Sequence, residues 1–386
     1  MKQRVALVRG PGLNSWEMQL FLPLTDAYEM TAFVSQSHYF EINEIPIEIR
    51  RLFSVGQLLR ARILRKPMIG FFGDYHDLLG LKNALRGFDI VHSRDTAYYD
   101  TYQAARAKAS CGFKFVVTVW ENIPFLNNNN VAEKHKKFIF NEADLLLSVS
   151  ERAKEVLLLE GAPEHKIKVL MPGIDCQHFR SMSKDRDLLQ KFKCRDDDFV
   201  VLYVANLYRE KGIFELLFAF RMMLNRNKSG RKLKLLIVGQ GKERKKVLYW
   251  IEKLSLQRDA FLIGSYPYEI MPKIHNLADV FILPSLPSPT WQEQFGYVLI
   301  ESMACGKPII STMSGSIPEV VGDAGILVQS NDFVSIQRVI EAFLNDECMR
   351  HEYGMRARLR AEKHFDSRKV SAQLRKLYGE LYPVQQ

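Results

Sequence analysis

The 386 residues contain no apolar run that approaches the roughly 20 residues a membrane-spanning helix needs. The start, MKQRVALVRGPG, reaches Gly10 and Pro11 before any stretch long enough for a signal peptide, so a cytoplasmic location is expected. Cysteine is also sparse. Cys111, Cys176, Cys194, Cys305 and Cys348 are scattered, odd in number and free of any CxxC pair, which argues against a disulfide framework and against a zinc site. Short repeats and low-complexity tracts are lacking. What remains is 47% hydrophobic and 25% charged, the composition of a soluble globular protein, in a chain long enough for two domains. The formal net charge of +10 calls for an anionic partner: nucleic acid, an anionic membrane surface or phosphorylated substrates. A basic nucleic-acid-binding protein is one such reading, but the aromatic–basic interleaving of the recognisable modules is missing, so no nucleic acid is expected.

Short apolar runs alternate with longer helical patterns. Residues 4–8, 89–93, 114–120, 144–150 and 167–171 are brief, rich in Val, Ile and Leu and bounded by turn or polar residues, as buried parallel strands are. The alternation restarts at 199–205 and continues at 234–239, 260–264, 279–284 and 307–312, which predicts two doubly wound α/β units in tandem. Pro172 and Gly173 interrupt the pattern. The expected division is therefore 1–172 for the first domain, 173–365 for the second, and 366–386 for a terminal helix packing back on the first.

EQFGYVLIE (293–301) places a carboxylate at each end of a mostly apolar stretch. In one continuous helix Glu293 and Glu301 would lie about 12 Å apart, too far for one small group to touch both. Gly296 lets the chain turn and begin a helix near Tyr297, leaving Glu293 in the preceding loop. The amides from Phe295 to Val298, through Gly296 and Tyr297, would then face an anion at the positive pole of the helix. A diphosphate with a hydroxylated ring on either side has the matching charge pattern, with Glu301 on a ribose and Glu293 on the other sugar. An ordinary surface pairing is the plain alternative for an isolated EX7E match.

The surrounding residues carry a resemblance. Residues 278–328, with EX7E followed by Glu301, Met303, Ala304, Gly306 and Pro308 in an E-x-M-A-x-G-x-P stretch, closely resemble the signature of the retaining group-one glycosyltransferases, carbohydrate-active family four. MPGIDCQHF (171–179), LYVANLYREKGIFELL (202–217) and LLIVGQGKER (235–244) resemble three further family elements. The resemblance is strong in the second half and only in outline in the first. It implies a GT-B fold, two Rossmann-like domains facing each other across a cleft, and transfer of a sugar from a UDP, GDP or ADP donor to a glycan or lipid-linked hydroxyl without a metal or other cofactor. Glu293 would support charge at the anomeric carbon, and Lys211 with Arg209 would stabilise the departing diphosphate. Asn206 stands where relatives often have arginine, which makes Arg209 a shifted substitute, and Tyr266 in GSYPYE occupies the place of the base contact. A nucleotide-sugar epimerase on the same fold is the alternative.

In the first half, VRGPGLNSWE puts Gly10, Gly12 and Asn14 directly after the first strand, where backbone can approach a phosphate or sugar; a plain strand–helix turn fits equally. Where many relatives carry a histidine near the reacting sugar this chain has Trp120, then Glu121 and Asn122, and tryptophan accepts no proton. His92 and Arg94 follow another strand toward the acceptor side, His92 reading also as a structural histidine. Residues 47–66 mix Arg50, Arg51, Arg60, Arg62, Arg65 and Lys66 with apolar residues, a pattern of either a peripheral membrane-surface helix or a core-facing helix with a solvated back.

Overall fold

The computed structural model describes residues 2–42, 45–58, 74, 76–126 and 129–382. The chain forms two compact units, Met1–Gly173 with Ser367–Gln386, and Ile174–Asp366. It passes between them twice, and at the second unit's border the crossings run side by side: Ile174 N donates to Phe365 O at 2.7 Å and Ile174 bridges Asp366.

In the first unit, β1 (Gln3–Gly10), β2 (Tyr28–Ser35), β3 (Glu48–Leu52), β4 (Ile90–Arg94), β5 (Lys114–Val119), β6 (Leu145–Ser148) and β7 (Ile167–Val169) build one sheet. Its order is β3-β2-β1-β4-β5-β6-β7, every pair parallel. Alternate residues feed two cores because successive side chains point to opposite faces. Ala6 and Val8 join Phe115, Val117 and the helix Tyr99–Cys111 on one face. Val5 and Leu7 join Val116, Leu147 and, from the helix Ser367–Glu380, Val370, Leu374 and Tyr378 on the other.

The segment 47–66 departs from its expected helix. Residues 48–52 form β3 at the sheet edge, with Thr31 Oγ1 donating to Glu48 Oε2 at 2.8 Å and Arg50 Nε to Glu48 Oε1 at 2.8 Å. Charges on an edge strand discourage pairing with further chains, which is why this strand has an amphipathic, helix-like composition. Residues 59–66, and with them the rest of the membrane-contact expectation, lie outside the described residues. Among the described residues no helix is long and apolar enough to cross a membrane.

In the second unit, β8 (Phe199–Val204), β9 (Leu233–Val238), β10 (Ala260–Gly264), β11 (Val280–Leu283), β12 (Ile309–Thr312) and β13 (Gly325–Val328) are ordered β10-β9-β8-β11-β12-β13, again all parallel. β8, β9, β11 and β12 are buried along their whole length, as strands covered on both faces must be. Strand order reverses between β8 and β11, so their following loops diverge to opposite faces and leave a crevice at the carboxyl edge, where doubly wound sheets hold ligands.

Candidate functional site

The loops after β8 and β11 carry the side chains of interest. After β8 a turn of 3-10 helix, Arg209–Lys211, ends at Gly212, whose φ of 71° is left-handed. A Cβ on Gly212 would stand 1.8 Å from Pro284 O, so only glycine lets this turn lie against the end of β11. Leu286 N donates to Glu210 O at 2.7 Å and fastens the two loops together. The helix Tyr297–Ala304 begins after Gly296, at φ 89°, and Glu293 lies in the loop before it, its carbonyl accepting from Ser316 N at 2.9 Å.

These constraints bring Lys211 to Glu293. The ammonium donates to both carboxylate oxygens, at 2.9 and 2.7 Å, and Ser285 Oγ donates to Glu293 Oε2 at 2.8 Å. The Lys211 ammonium also lies 4.8 Å from the centre of the Trp291 ring, a cation–π contact. Glu293 is only 6% exposed, so its charge depends on these partners. Beneath it the Tyr203 hydroxyl on β8 is buried, and burial with the charges of Glu293 and Glu215 pushes its pKa well above the usual phenol.

Glu301 lies in the helix Tyr297–Ala304 and is 3% exposed. Tyr268 OH donates to Oε1 at 3.0 Å, and His275 Nε2 stands 3.3 Å from Oε2. Both carboxylates are therefore buried and held by polar neighbours, unlike solvated surface acids.

Other expected residues have separate occupations. Arg209 is tied to the buried Glu215, its terminal nitrogens donating at 2.7 and 2.5 Å. Asn206 is exposed, and Tyr266 packs edge-on against Phe192 beneath Lys191. The Phe295 ring is core, against Phe365, while Tyr297 and Val298 are half-buried in the first helical turn. Ser285, Trp291, Tyr268 and His275 had not been singled out from the sequence. Ser285 carried a readable signal, a hydroxyl two residues past the end of a strand at the switch point; His275 carried none, because its proximity to Glu301 depends on helix packing.

In the first unit the carboxyl ends of β1 and β4 meet at the corresponding switch point. The Arg94 guanidinium, stacked on Tyr98 at 4.6 Å, occupies the space beside Gly12, where a Cβ would fall 2.0 Å from its Nη1. Gly10 makes room for Asp100, whose carboxyl burial pushes up to about 6 against the opposing charge of Arg94. Asn14 caps the short helix Ser15–Met18, accepting from Glu17 N at 2.8 Å. His92, which also reads from the sequence as a structural histidine, is wholly buried, 2.6 Å from both Tyr378 OH and Thr118 Oγ1, and burial drives its pKa well below the ordinary value. A histidine locked between a terminal helix and a strand is a packing element. Glu121 is bridged at 3.2 Å by Lys136, which also holds Glu160 at 2.7 Å; Trp120 is half-buried beside it, and the Asn122 carbonyl accepts from Arg152 at 3.2 Å. Among the described residues no cluster of three or more His, Cys, Asp or Glu side chains is arranged to hold a metal ion.

Comparison with known proteins agrees with this architecture. A family model described as glycosyl transferases group 1 matches residues 184–360, and one described as glycosyltransferase family 4 matches 43–178. The capsular polysaccharide biosynthesis glycosyltransferase CapM of Staphylococcus aureus is 30% identical over 247 residues, covering 61% of each chain. The N-acetyl-alpha-D-glucosaminyl L-malate synthase of Bacillus anthracis is 26% identical over 265 residues, 68% of this chain and 65% of that one. The chain thus spans somewhat under two thirds of the length of these curated relatives. HepE of Anabaena, crystallised with UDP, superposes with a TM-score of 0.79 at 17% identity, covering 98% of this chain and 100% of its own. Sucrose-phosphate synthase of Thermosynechococcus elongatus gives 0.76 at 19% identity over 99% of both chains. The fold is GT-B, built from two Rossmann-like doubly wound domains. With family models matching two successive stretches of its sequence, the chain belongs to the group 1, family 4 type of glycosyl transferases.

Proposed function

We propose that the protein is a retaining glycosyltransferase that moves a sugar from a nucleoside diphosphate sugar to a hydroxyl of a glycan or lipid-linked glycan. The observation that carries this reading is the buried Lys211–Glu293 pair at the switch point of β8 and β11, next to a helix N-terminus and one helix length from Glu301. Lys211 and the helix pole supply positive charge where a diphosphate leaves, so the reaction needs no metal. Glu293 orients the transferred sugar and supports positive charge at its anomeric carbon. Glu301, steadied by Tyr268 and His275, accepts from ribose hydroxyls. Arg209 is a second cation for the diphosphate once its guanidinium leaves Glu215.

In the transfer step the bond from the anomeric carbon to the diphosphate oxygen breaks and the acceptor oxygen bonds the same face. The acceptor proton passes to the leaving phosphate oxygen, which removes the need for a separate base. A uridine donor is favoured because HepE was crystallised with UDP and with UDP-glucose. A polysaccharide acceptor fits CapM, named for capsule biosynthesis.

The test supplies UDP-, GDP- and ADP-sugars with glycan acceptors in the presence of EDTA and follows nucleotide release and the anomeric configuration of the product by NMR. One donor class should give a product of unchanged configuration, and Glu293→Gln should abolish it. Inverted product, or transfer by Glu293→Gln at the wild-type rate, would overturn the assignment.

A further inference from the structure

A second cavity, its wall part polar and part apolar, lies in the Ile174–Asp366 unit, at the opposite edge of its sheet. It has a volume of about 650 Å³, and its wall includes Ser181, Ser183, Lys184, Asn276, Lys307 and Met355. Lys307 stands two residues before β12, and Asp279, also in the wall, directly before β11, so the cavity sits at the amino ends of these strands, whereas the Glu293 loop follows the carboxyl end of β11. An occupant of one site does not touch the other.

The wall holds more cation than it neutralises. The Asp279 carboxylate is taken up by Lys184 at 2.8 Å and by Val200 N at 2.9 Å, with Arg231 at 3.7 Å. Glu347 is 89% exposed and meets Arg350 only at 3.8 Å. Arg358 is spent on the carbonyls of Phe179 and Cys176, at 2.8 and 3.0 Å, and on Glu362 at 2.7 Å. Lys307 has much less. Its ammonium makes one long bond, 3.3 Å to Asn276 O, and among the described residues no carboxylate pairs with it. Burial lowers its pKa, the fields of Cys305 and of the Asp279 carboxylate oppose that shift, and the charge of Lys184 adds to it; the net direction is down, so an anion beside the ammonium would be stabilising.

We propose that this cavity binds a small phosphomonoester, with Lys307 as its principal contact and Lys184, which keeps its bond to Asp279, as an additional donor. A phosphate offers oxygens enough for the Lys307 ammonium, for the remaining protons of Lys184 and for the hydroxyls of Ser181 and Ser183, and the volume is that of a small-molecule pocket rather than a bare ion site. Met355, 50% exposed, stands in the same wall, where a larger side chain would fill the space.

Isothermal titration of the full chain with inorganic phosphate and with a hexose 6-phosphate tests the site. Wild type should bind the hexose phosphate more tightly than phosphate. Lys307→Met should weaken both by about tenfold or more, which corresponds to about 1.4 kcal/mol. Met355→Trp should block the hexose phosphate while keeping every cation, and saturating UDP should leave the titration unchanged. Should either variant fold poorly, protection of wild-type Lys307 from amine acetylation by the hexose phosphate, read by mass spectrometry, gives the same answer. Binding that UDP displaces, that both variants retain, or that leaves Lys307 equally reactive overturns the proposal.

Discussion

Glu293→Gln separates binding from chemistry. The Lys211 ammonium is held by both oxygens of Glu293, so a diphosphate must draw the cation away from a buried carboxylate. Glutamine has the same shape and still accepts from Lys211 and Ser285, but the bond is no longer between opposite charges. Hydrogen bonds between charged groups contribute about 1.5–3 kcal/mol and neutral ones about 0.5–1.5, so the substitution loosens the hold on Lys211 by about 1–1.5 kcal/mol. Titration with UDP should therefore show binding tighter by about tenfold. Sugar transfer in the same preparation should fall by about a hundredfold or more, if Glu293 acts as proposed on the anomeric carbon. Binding no tighter than wild type would refute the competition between Glu293 and ligand; wild-type turnover would refute the role of the carboxylate.

Three further substitutions probe the supports of these sites. Lys211→Met takes the ammonium away from both oxygens of the buried Glu293; breaking a buried pair costs about 3–5 kcal/mol, reduced here to about 2 because Lys211 is 19% exposed, and adding Glu293→Gln should restore most of the urea stability but none of the activity. Gly212→Ala forces a side chain into Pro284 O at a left-handed φ and should lower Tm and nucleotide affinity together; an unchanged Tm would mean that the turn can move. Burial raises the Asp100 carboxyl from its usual value to about 6, so the folded state holds a proton that the unfolded state has released, and stability falls as pH rises from about 4 through 6. Asp100→Asn should flatten that slope, worth at most about 3 kcal/mol, in urea titrations across the window; a slope equal to wild type would assign it to other groups.

Much of the second unit was legible because its determinants are local. Gly296 and the apolar residues after it specify a helix start, and the strands there are continuous apolar runs. The pairing of Lys211 with Glu293 was less accessible, since it depends on Gly212 packing against Pro284 and on the Leu286–Glu210 bond, contacts that no spacing rule contains. β2, with Glu29 and Thr31 inside it, and β3, with its edge charges, lack the apolar continuity that marked the other strands. His92 looked functional by its place after Val91, and only Tyr378, far along the chain, reveals that both its nitrogens are engaged.

The sheet of the first unit takes one of its covering helices from the far side of the sequence. Val370, Leu374 and Tyr378 close the face formed by Val5 and Leu7, whereas Ile174–Asp366 is one uninterrupted stretch. During synthesis the second unit can therefore acquire its native contacts as soon as its own residues have emerged, while the first waits, one face only partly covered, until residues 367–382 are made. Shortening the chain at Asp366 would leave the residues of the Ile174–Asp366 unit intact and remove one covering helix from the other half.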